Sequence, residues 1–555
     1  MVDTLSENSE KIQFELECLN RKINQFLLEI KPKNDGQKSP TNGQNMWSSL
    51  NMTTKAYSTS NSKDSLPERI FIKRNSLLTE MFKLNHIRTI RHIFISIMIV
   101  LALQVIYNDL TEKGTFDYNF DLIRWSFDKF NVVCYTWLYM IISTTCLVYF
   151  AFHFWSNDRI KQFAHDPKNL FKYDLLWLSL YLVYLGIFLL LPCYTVISNA
   201  LPVASTLTIL LEQLRMLMKT HAFVRSNITR ALENGSKKME ALRARRHKKT
   251  NSLTIEKPDE SSSEDEQTPK KSASNDDTKL CPDFSCYLYF LFAPTLVYRD
   301  NYPRNSRIRW KNVCSNFAQV LGAILYTHYI FSRFCIPVFK HFNTDSVTLK
   351  MFIHSILNCT LPGTLLLLVA FFAFLHCWLN AWAEMLRFSD RMFYKDWWNS
   401  TNFSNYYRTW NVVVHDWLYT YIYKDLFHLF GKENKTLCQF GIFFLSAIFH
   451  EYILTLAFGY FYPVMFLQFG AIGFLCLFIK SNKNENFWNL ILWMGLLIGL
   501  GGQMCLYSIE WYARQNCPQS FESKIVDYLL PRSFTCGMGK SLNGTFHYDQ
   551  IRSEF

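Results

Sequence analysis

Long apolar blocks separated by short charged ones set the pattern of this chain. Runs at about Ile93 to Tyr107, Val132 to Phe154, Leu175 to Val196, Leu201 to Met218, Phe317 to Phe339, Met351 to Leu375, Leu437 to Phe458, Val464 to Ile479 and Leu490 to Tyr507 lie near the roughly 20 residues that a helix needs to cross a bilayer. The pattern predicts an all-α, polytopic membrane protein with about nine transmembrane helices. Charge between the blocks orients it. Basic Ser65 to His92 precedes the first run, acidic Asp109, Glu112, Asp117 and Asp121 follow it, and Arg159, Lys161, Lys168 and Lys172 follow the second. Positive charge stays in the cytosol, so the N-terminus is cytosolic and an odd number of crossings places the 510–555 tail in the lumen.

The domain organisation follows. Residues 1–64 are polar and contain no apolar stretch of a signal peptide. Within them Ile12, Leu16, Leu19, Ile23, Phe26 and Ile30 recur at four- and three-residue steps, the a/d seam of a helix. We read it as an oligomerisation helix of a homodimer or homotetramer, followed by a linker; the alternative is a helix packing on its own membrane domain. Residues 65–555 form that domain. Inside it, the 225–279 segment passes from Arg243, Arg245, Arg246, Lys248 and Lys249 to Glu260, Glu264, Asp265 and Glu266 with few apolar residues, which predicts a disordered cytosolic insertion.

Composition sharpens this picture. With 49% hydrophobic and 17% aromatic residues gathered in blocks, 555 residues make a membrane protein better than a string of soluble domains. The balance of 58 Lys and Arg against 45 Asp and Glu gives +13, concentrated between spans, where it faces anionic lipid or an anionic ligand. No nucleic-acid-binding fold or zinc spacing accompanies the basic runs, so nucleic acid is not an expected partner. The 15 cysteines form no CxxC pair, and neither a metal nor a cofactor is expected. Cys517 and Cys536 fall in the lumenal tail, where a disulfide persists. A bridge there closes a loop of about 20 residues, worth ~3 kcal/mol. Asn543-Gly544-Thr545 beside them is a glycosylation acceptor usable only in the lumen; the other reading leaves both thiols free and the acceptor bare.

The chemistry concentrates between Phe393 and His450. Phe393-Tyr394-Lys395-Asp396-Trp397-Trp398-Asn399 and Trp410-Asn411-Val412-Val413-Val414-His415-Asp416-Trp417 crowd aromatics and amides against few charges, a composition suited to a shaped pocket. His450 sits in the middle of the seventh apolar run. An ionisable group there is costly and points to function, although a histidine bonded between helices is the structural alternative. His450-Glu451 is no H-E-x-x-H zinc site, because Leu454 occupies the second histidine's place, and G-x-S-x-G, P-loop and dinucleotide motifs are missing. What remains is a neutral imidazole able to take a proton from an alcohol, and amide donors such as Asn411 able to hold an oxyanion. Asn411 and His415 share a face if their segment is helical. Asp396 is expected to cap or brace the fold.

These blocks, FYKDWWN, WNVVVHDWLY and FHEY in that order, together with Tyr289-Phe290-Leu291-Phe292-Ala293-Pro294-Thr295-Leu296-Val297-Tyr298-Arg299-Asp300, resemble the sterol O-acyltransferases of the membrane-bound O-acyltransferase superfamily, from about Phe71 to the C-terminus. The resemblance implies an endoplasmic-reticulum enzyme that moves a fatty acyl group from acyl-CoA, a substrate and not a cofactor, to the hydroxyl of a sterol such as cholesterol. It makes His450 and Asn411 the catalytic couple, and Asn405, Tyr407, Arg408, His415, Tyr423, Lys435 and Ser446 the acyl-CoA channel. At Met218 to Phe223 the chain has His221-Ala222 where the family has His-Ser, which removes that hydroxyl. Two other readings stand beside this one. A diacylglycerol acyltransferase shares a related FYxxWWN block, and a lipid transporter also keeps an ionisable group at mid-membrane, although no inverted repeat is seen.

Overall fold

A computed structural model describes residues 66–114, 120–165, 169–252, 279–340, 349–479, 484–519 and 521–535. The seam from Ile12 to Ile30, Cys536 and the Asn543 acceptor lie outside them. Among the described residues there are helices and no β-strand, only isolated bridges between Arg74 and Asp390 and between Arg304 and Phe388.

Numbering only the elements on which the site depends, the chain runs through α1 (Asn85–Lys113), α2 (Phe130–Ile142), α3 (Tyr149–His165), α4 (Leu170–Ser198), the long α5 (Val203–Ser252), α6 (Trp310–Ile330), α7 (Leu349–Ala370), the short α8 (Phe403–Trp410) and α9 (Val412–Trp417), α10 (Lys435–Phe458) and α11 (Glu485–Asn516). Helix forms at each of the nine expected runs, but only six among the described residues are long and apolar enough to cross a bilayer: Asn85–Gln104, Asp121–Lys161, Leu170–Ser198, Leu349–Met385, Lys435–Phe458 and Glu485–Asn516. The expected count of nine is therefore not reached by that measure. α5 carries Glu212, Arg215 and Lys219, α6 opens on Lys311 and Asn312, and the apolar helix Phe466–Cys476 is too short.

α5 also corrects the expected insertion. It continues as one helix to Ser252 instead of ending in disorder at residue 225. Phe223, Asn227, Ala231, Gly235 and Met239 are buried at four-residue steps, and Met239 packs with Ile160 and Leu280. That stripe gives the segment a face to bury despite its charged composition.

The main core lies beneath the Phe393 to Trp417 stretch. Phe223, Tyr287, Phe290 and Tyr298 meet Phe371, Phe393, Tyr394, Trp397 and Trp417 there. Lys219, fully buried, replaces an ion pair with carbonyls: its Nζ donates to Phe290 O and, at 2.7 Å, to Ala293 O at the end of helix Phe284–Phe292, where the helix dipole favours a cation. By contrast, α1 and α4 turn Ile, Leu and Phe side chains outward along much of their length, as lipid-facing helices do.

α7 and α11 cross in close contact. A Cβ on Gly501 would stand 2.8 Å from Thr360 Cγ2 and 3.0 Å from Ile356 O, and one on Gly363 would stand 3.1 Å from Leu500 O. Small residues at such a crossing let backbones touch where lipid supplies no hydrophobic drive. Gly501→Leu is accordingly expected to force the helices apart at a cost of about 1–3 kcal/mol, as overpacking does. A lowered melting temperature in detergent, with less monodisperse protein, is the readout; an unchanged melt would contradict the packing.

Candidate active site

The site is assembled by two amide caps and one aromatic pile. Asn402 accepts a hydrogen bond from Asn405 N at 2.8 Å and starts α8; Asn411 accepts from Val414 N at 3.1 Å and starts α9. Asn411 thus breaks the segment in two, and its side chain caps α9 instead of lying on a helical face with His415. This bond uses the amide oxygen and leaves the NH2 group as a donor. The FYKDWWN block lies alongside, with Val412 N donating to Phe393 O and Lys395 N to Thr409 O, both at 2.9 Å. Phe371 centres the pile, with ring centroids 4.7 Å from Tyr394, 5.2 Å from Trp397 and 5.3 Å from Trp410. α11 grips it from outside, as Asn489 and Trp493 donate to Trp398 O at 2.9 and 3.1 Å.

Charges fasten the block to the chain segment that precedes α1. Asp390, buried, accepts from Arg74 Nε at 2.6 Å and from Ile72 N at 3.2 Å, and pairs with Arg69 at 3.4 Å; Arg69 also pairs with Asp416 at 3.1 Å. Glu384 receives Arg309 at 2.7 Å and Arg391 at 2.5 Å. Burial pushes the Lys395 ammonium below its usual value, with Asp416 working against the shift. Asp396, expected to cap or brace the fold, is exposed, and its side chain makes no capping hydrogen bond; Asn399 is exposed as well. The bracing carboxylates are Asp390, Asp416 and Glu384, which sequence reasoning passed over, although Glu384 beside an apolar run was a visible signal.

His450 lies on α10. Its Nδ1 is 2.7 Å from the carbonyl oxygen of Ser446 one turn earlier, and 3.4 Å from the Ser446 hydroxyl. A carbonyl only accepts, so Nδ1 carries the proton and Nε2 keeps its lone pair. Among the described residues the hydrogen bonds of His450 stay within its own helix. His450 is exposed on α10, and Phe469 packs against its ring.

The residue that sequence reasoning left without a role is Glu451. Its buried carboxylate accepts from Phe466 N at 3.1 Å, holding the first turn of the π-helical Phe466–Gly473 segment, whose N–H groups need an acceptor. That segment presents Phe469, and the Phe469 ring packs on both His450, at 5.1 Å, and Tyr407, at 5.3 Å. Tyr407 and His450 therefore meet across one ring. Burial and the neighbouring Cys476 push the Tyr407 phenol up, so it stays a neutral hydroxyl. The approach depends on Gly473, where a Cβ would stand 2.7 Å from Tyr407 Oη.

The other expected residues form a second group. His415, Tyr419, Tyr423 and Phe427 stack one helical turn apart, with centroids spaced 6.4, 5.6 and 5.9 Å. Arg408 is exposed and close enough to Tyr423 to act on its phenol, and Lys435 is exposed at the first turn of α10. Asn405 is exposed and donates to Ser400 Oγ at 3.0 Å. No hydrogen bond among the described residues joins Asn411 to His450, so the structure gives the pair no direct contact. Cys517 is buried at the end of α11 and is not among the free thiols.

Residues 204–509, which run from α5 into α11, match the family model for MBOAT, the membrane-bound O-acyltransferase family. The chain belongs to that family. Within it, the chain is 44% identical over 470 residues to sterol O-acyltransferase 1 of Mus musculus, covering 84% of this chain and 79% of the relative. It is 42% identical to sterol O-acyltransferase 1 of Cricetulus griseus (84% and 78% covered) and 39% identical to sterol O-acyltransferase 2 of Homo sapiens (84% and 80% covered). Membership makes the chain an acyltransferase of the multi-pass membrane class.

Asp390 separates the structural from the chemical role of this family site. Asp390→Ala removes the carboxylate that two buried guanidinium groups share and is expected to cost about 3–5 kcal/mol. Asp396→Ala is expected to leave the melting temperature unchanged. Thermal melts of the two purified variants decide this, and equal losses would place the brace elsewhere.

Proposed function

We propose that the chain transfers a long-chain fatty acyl group from acyl-CoA to the 3-hydroxyl of a sterol, giving a sterol ester and free CoA, with His450 as general base. The observation that carries this reading is the unshared Nε2 of His450, fixed by the Nδ1 bond to Ser446 O and exposed on α10. In the reaction, Nε2 takes the proton of the sterol hydroxyl as its oxygen attacks the thioester carbonyl. A tetrahedral oxyanion forms, and the Asn411 NH2 group, free of the cap that its oxygen makes, stabilises it. The C–S bond then breaks, CoA leaves as thiolate, and the imidazolium returns the proton to sulfur. No cofactor takes part.

The CoA end is read onto the second group of residues. Arg408 is an exposed cation close to Tyr423 of the His415 to Phe427 stack, and Lys435 is an exposed cation at the first turn of α10. Lys435 sits at the positive end of a helix dipole, an unfavourable place for a cation that carries no further role, and phosphates would reward it. Tyr407, Ser446 and Asn405 complete the channel in this reading. The enzyme resides in the endoplasmic-reticulum membrane with a cytosolic N-terminus and lumenal C-terminus, and works as a homodimer or homotetramer through its N-terminal seam.

Two outcomes test these statements. Purified protein offered labelled oleoyl-CoA with cholesterol and diacylglycerol in competition is expected to esterify cholesterol, and His450→Ala to lower that turnover at least about 10²-fold. Ester on diacylglycerol alone, or near wild-type turnover of the variant, would overturn the reading. For the topology, non-reducing peptide mapping is expected to recover Cys517 and Cys536 as one bridged pair; two thiols that react with an impermeant reagent from the cytosolic face would reverse the orientation.

A further inference from the structure

Pro192 stands inside α4, where it cannot donate to the carbonyl of Phe188 one turn before it. Inside a bilayer that carbonyl has no water to turn to. The structure supplies a partner from the next helix. Gln213 of α5, itself buried, donates through Nε2 to Phe188 O and to Leu189 O, each at 2.9 Å. The same amide turns its oxygen outward and accepts from the Tyr452 hydroxyl at 2.7 Å. Tyr452 Oη also meets Cys193 Sγ at 2.8 Å, and Cys193 reaches back to Leu189 O at 3.0 Å. Five groups thus close on one another where α4, α5 and α10 converge.

Tyr452 lies two residues beyond His450 on α10. Two residues turn a helix by about 200°, so the anchor and the imidazole lie on opposite sides of it. Glu451 between them holds the Phe466–Gly473 segment. A rotation of α10 large enough to swing His450 away from Phe469 would have to break the Tyr452–Gln213 bond first. We infer that Gln213 and Tyr452 are positioning residues: the polar junction seeded by Pro192 fixes the rotational setting of α10 and so aims His450 Nε2 at the acceptor hydroxyl. This rests on the reading of His450 as the base. The static alternative is that the junction only adds stability.

The test uses full-length protein in one detergent, with kcat and KM measured for oleoyl-CoA and sterol alongside a melting temperature. Tyr452→Phe keeps the ring, and Gln213→Met keeps the length; each removes the bond. Both are expected to lower kcat about tenfold with KM within twofold, and the double variant to lose no more than either single, since the two act as one unit. In a His450→Ala background Tyr452→Phe should add nothing. Turnover within twofold of wild type for the singles, or a melting-temperature loss with kcat per folded molecule unchanged, would overturn the positioning role. Should Gln213→Met fail to fold, Tyr452→Phe carries the test, because it leaves the Phe188 and Leu189 carbonyls satisfied. Retained turnover in His450→Ala alone would instead defeat the reading of the base, whichever way the Tyr452 result falls.

Discussion

Inside a bilayer a polar group must find its partner within the chain, and the arrangement of this protein follows from that constraint. Three breaks in its apolar helices are answered by a side chain from another element. Gln213 answers the break at Pro192, and Glu451 answers the N–H groups that open the Phe466–Gly473 segment. Lys219 answers the carbonyls that end helix Phe284–Phe292. These answers come from distant parts of the sequence, so satisfying them brings α4, α5, α10 and the π-helical segment to one place. The family site occupies that place.

The second requirement is a rigid floor. Paired amides at Asn402 and Asn411 start two short helices, and the Phe371 pile with Trp397 and Trp410 fills the volume beneath them. Buried carboxylates then tie this floor to the chain that leads into the first membrane helix. Such pairs contribute little net stability but are severe to break, because a partner left alone is a buried charge. They fix which segment lies against which more than they strengthen the whole.

Much of this was legible in the sequence, and the limits have physical causes. The apolar blocks marked every long helix, and His450 stood out because no other histidine shares its run. The aromatic blocks marked the floor. Asp396 misled because it stands within the motif, whereas the bracing carboxylates act through arginines far away in the chain, a pairing that one sequence does not display. The continuation of α5 to Ser252 was hidden by charge: its buried stripe recurs every four residues but uses Asn227, Ala231 and Gly235, too small or polar to register as an apolar face. Only six of the nine expected runs meet the length and hydropathy of a crossing among the described residues, because α5 and α6 carry charged or polar residues within otherwise apolar surroundings. Glu451 escaped because its partner is a backbone N–H, which leaves no trace in residue identity.

The close approach of Tyr407 to Gly473 has a consequence for how this enzyme can diverge. The phenol occupies the volume that any side chain at position 473 would claim, and its ring is held between Phe443 and Phe469. A side chain gained at 473 therefore has to displace the phenol. A lineage that gains a methyl group at 473 must shorten or tilt the residue at 407 in the same step, and because Phe469 carries the contact onward to His450, that exchange would be felt at the imidazole. Position 473 is thus held small by the phenol, whereas a smaller residue at 407 would leave the glycine unhindered.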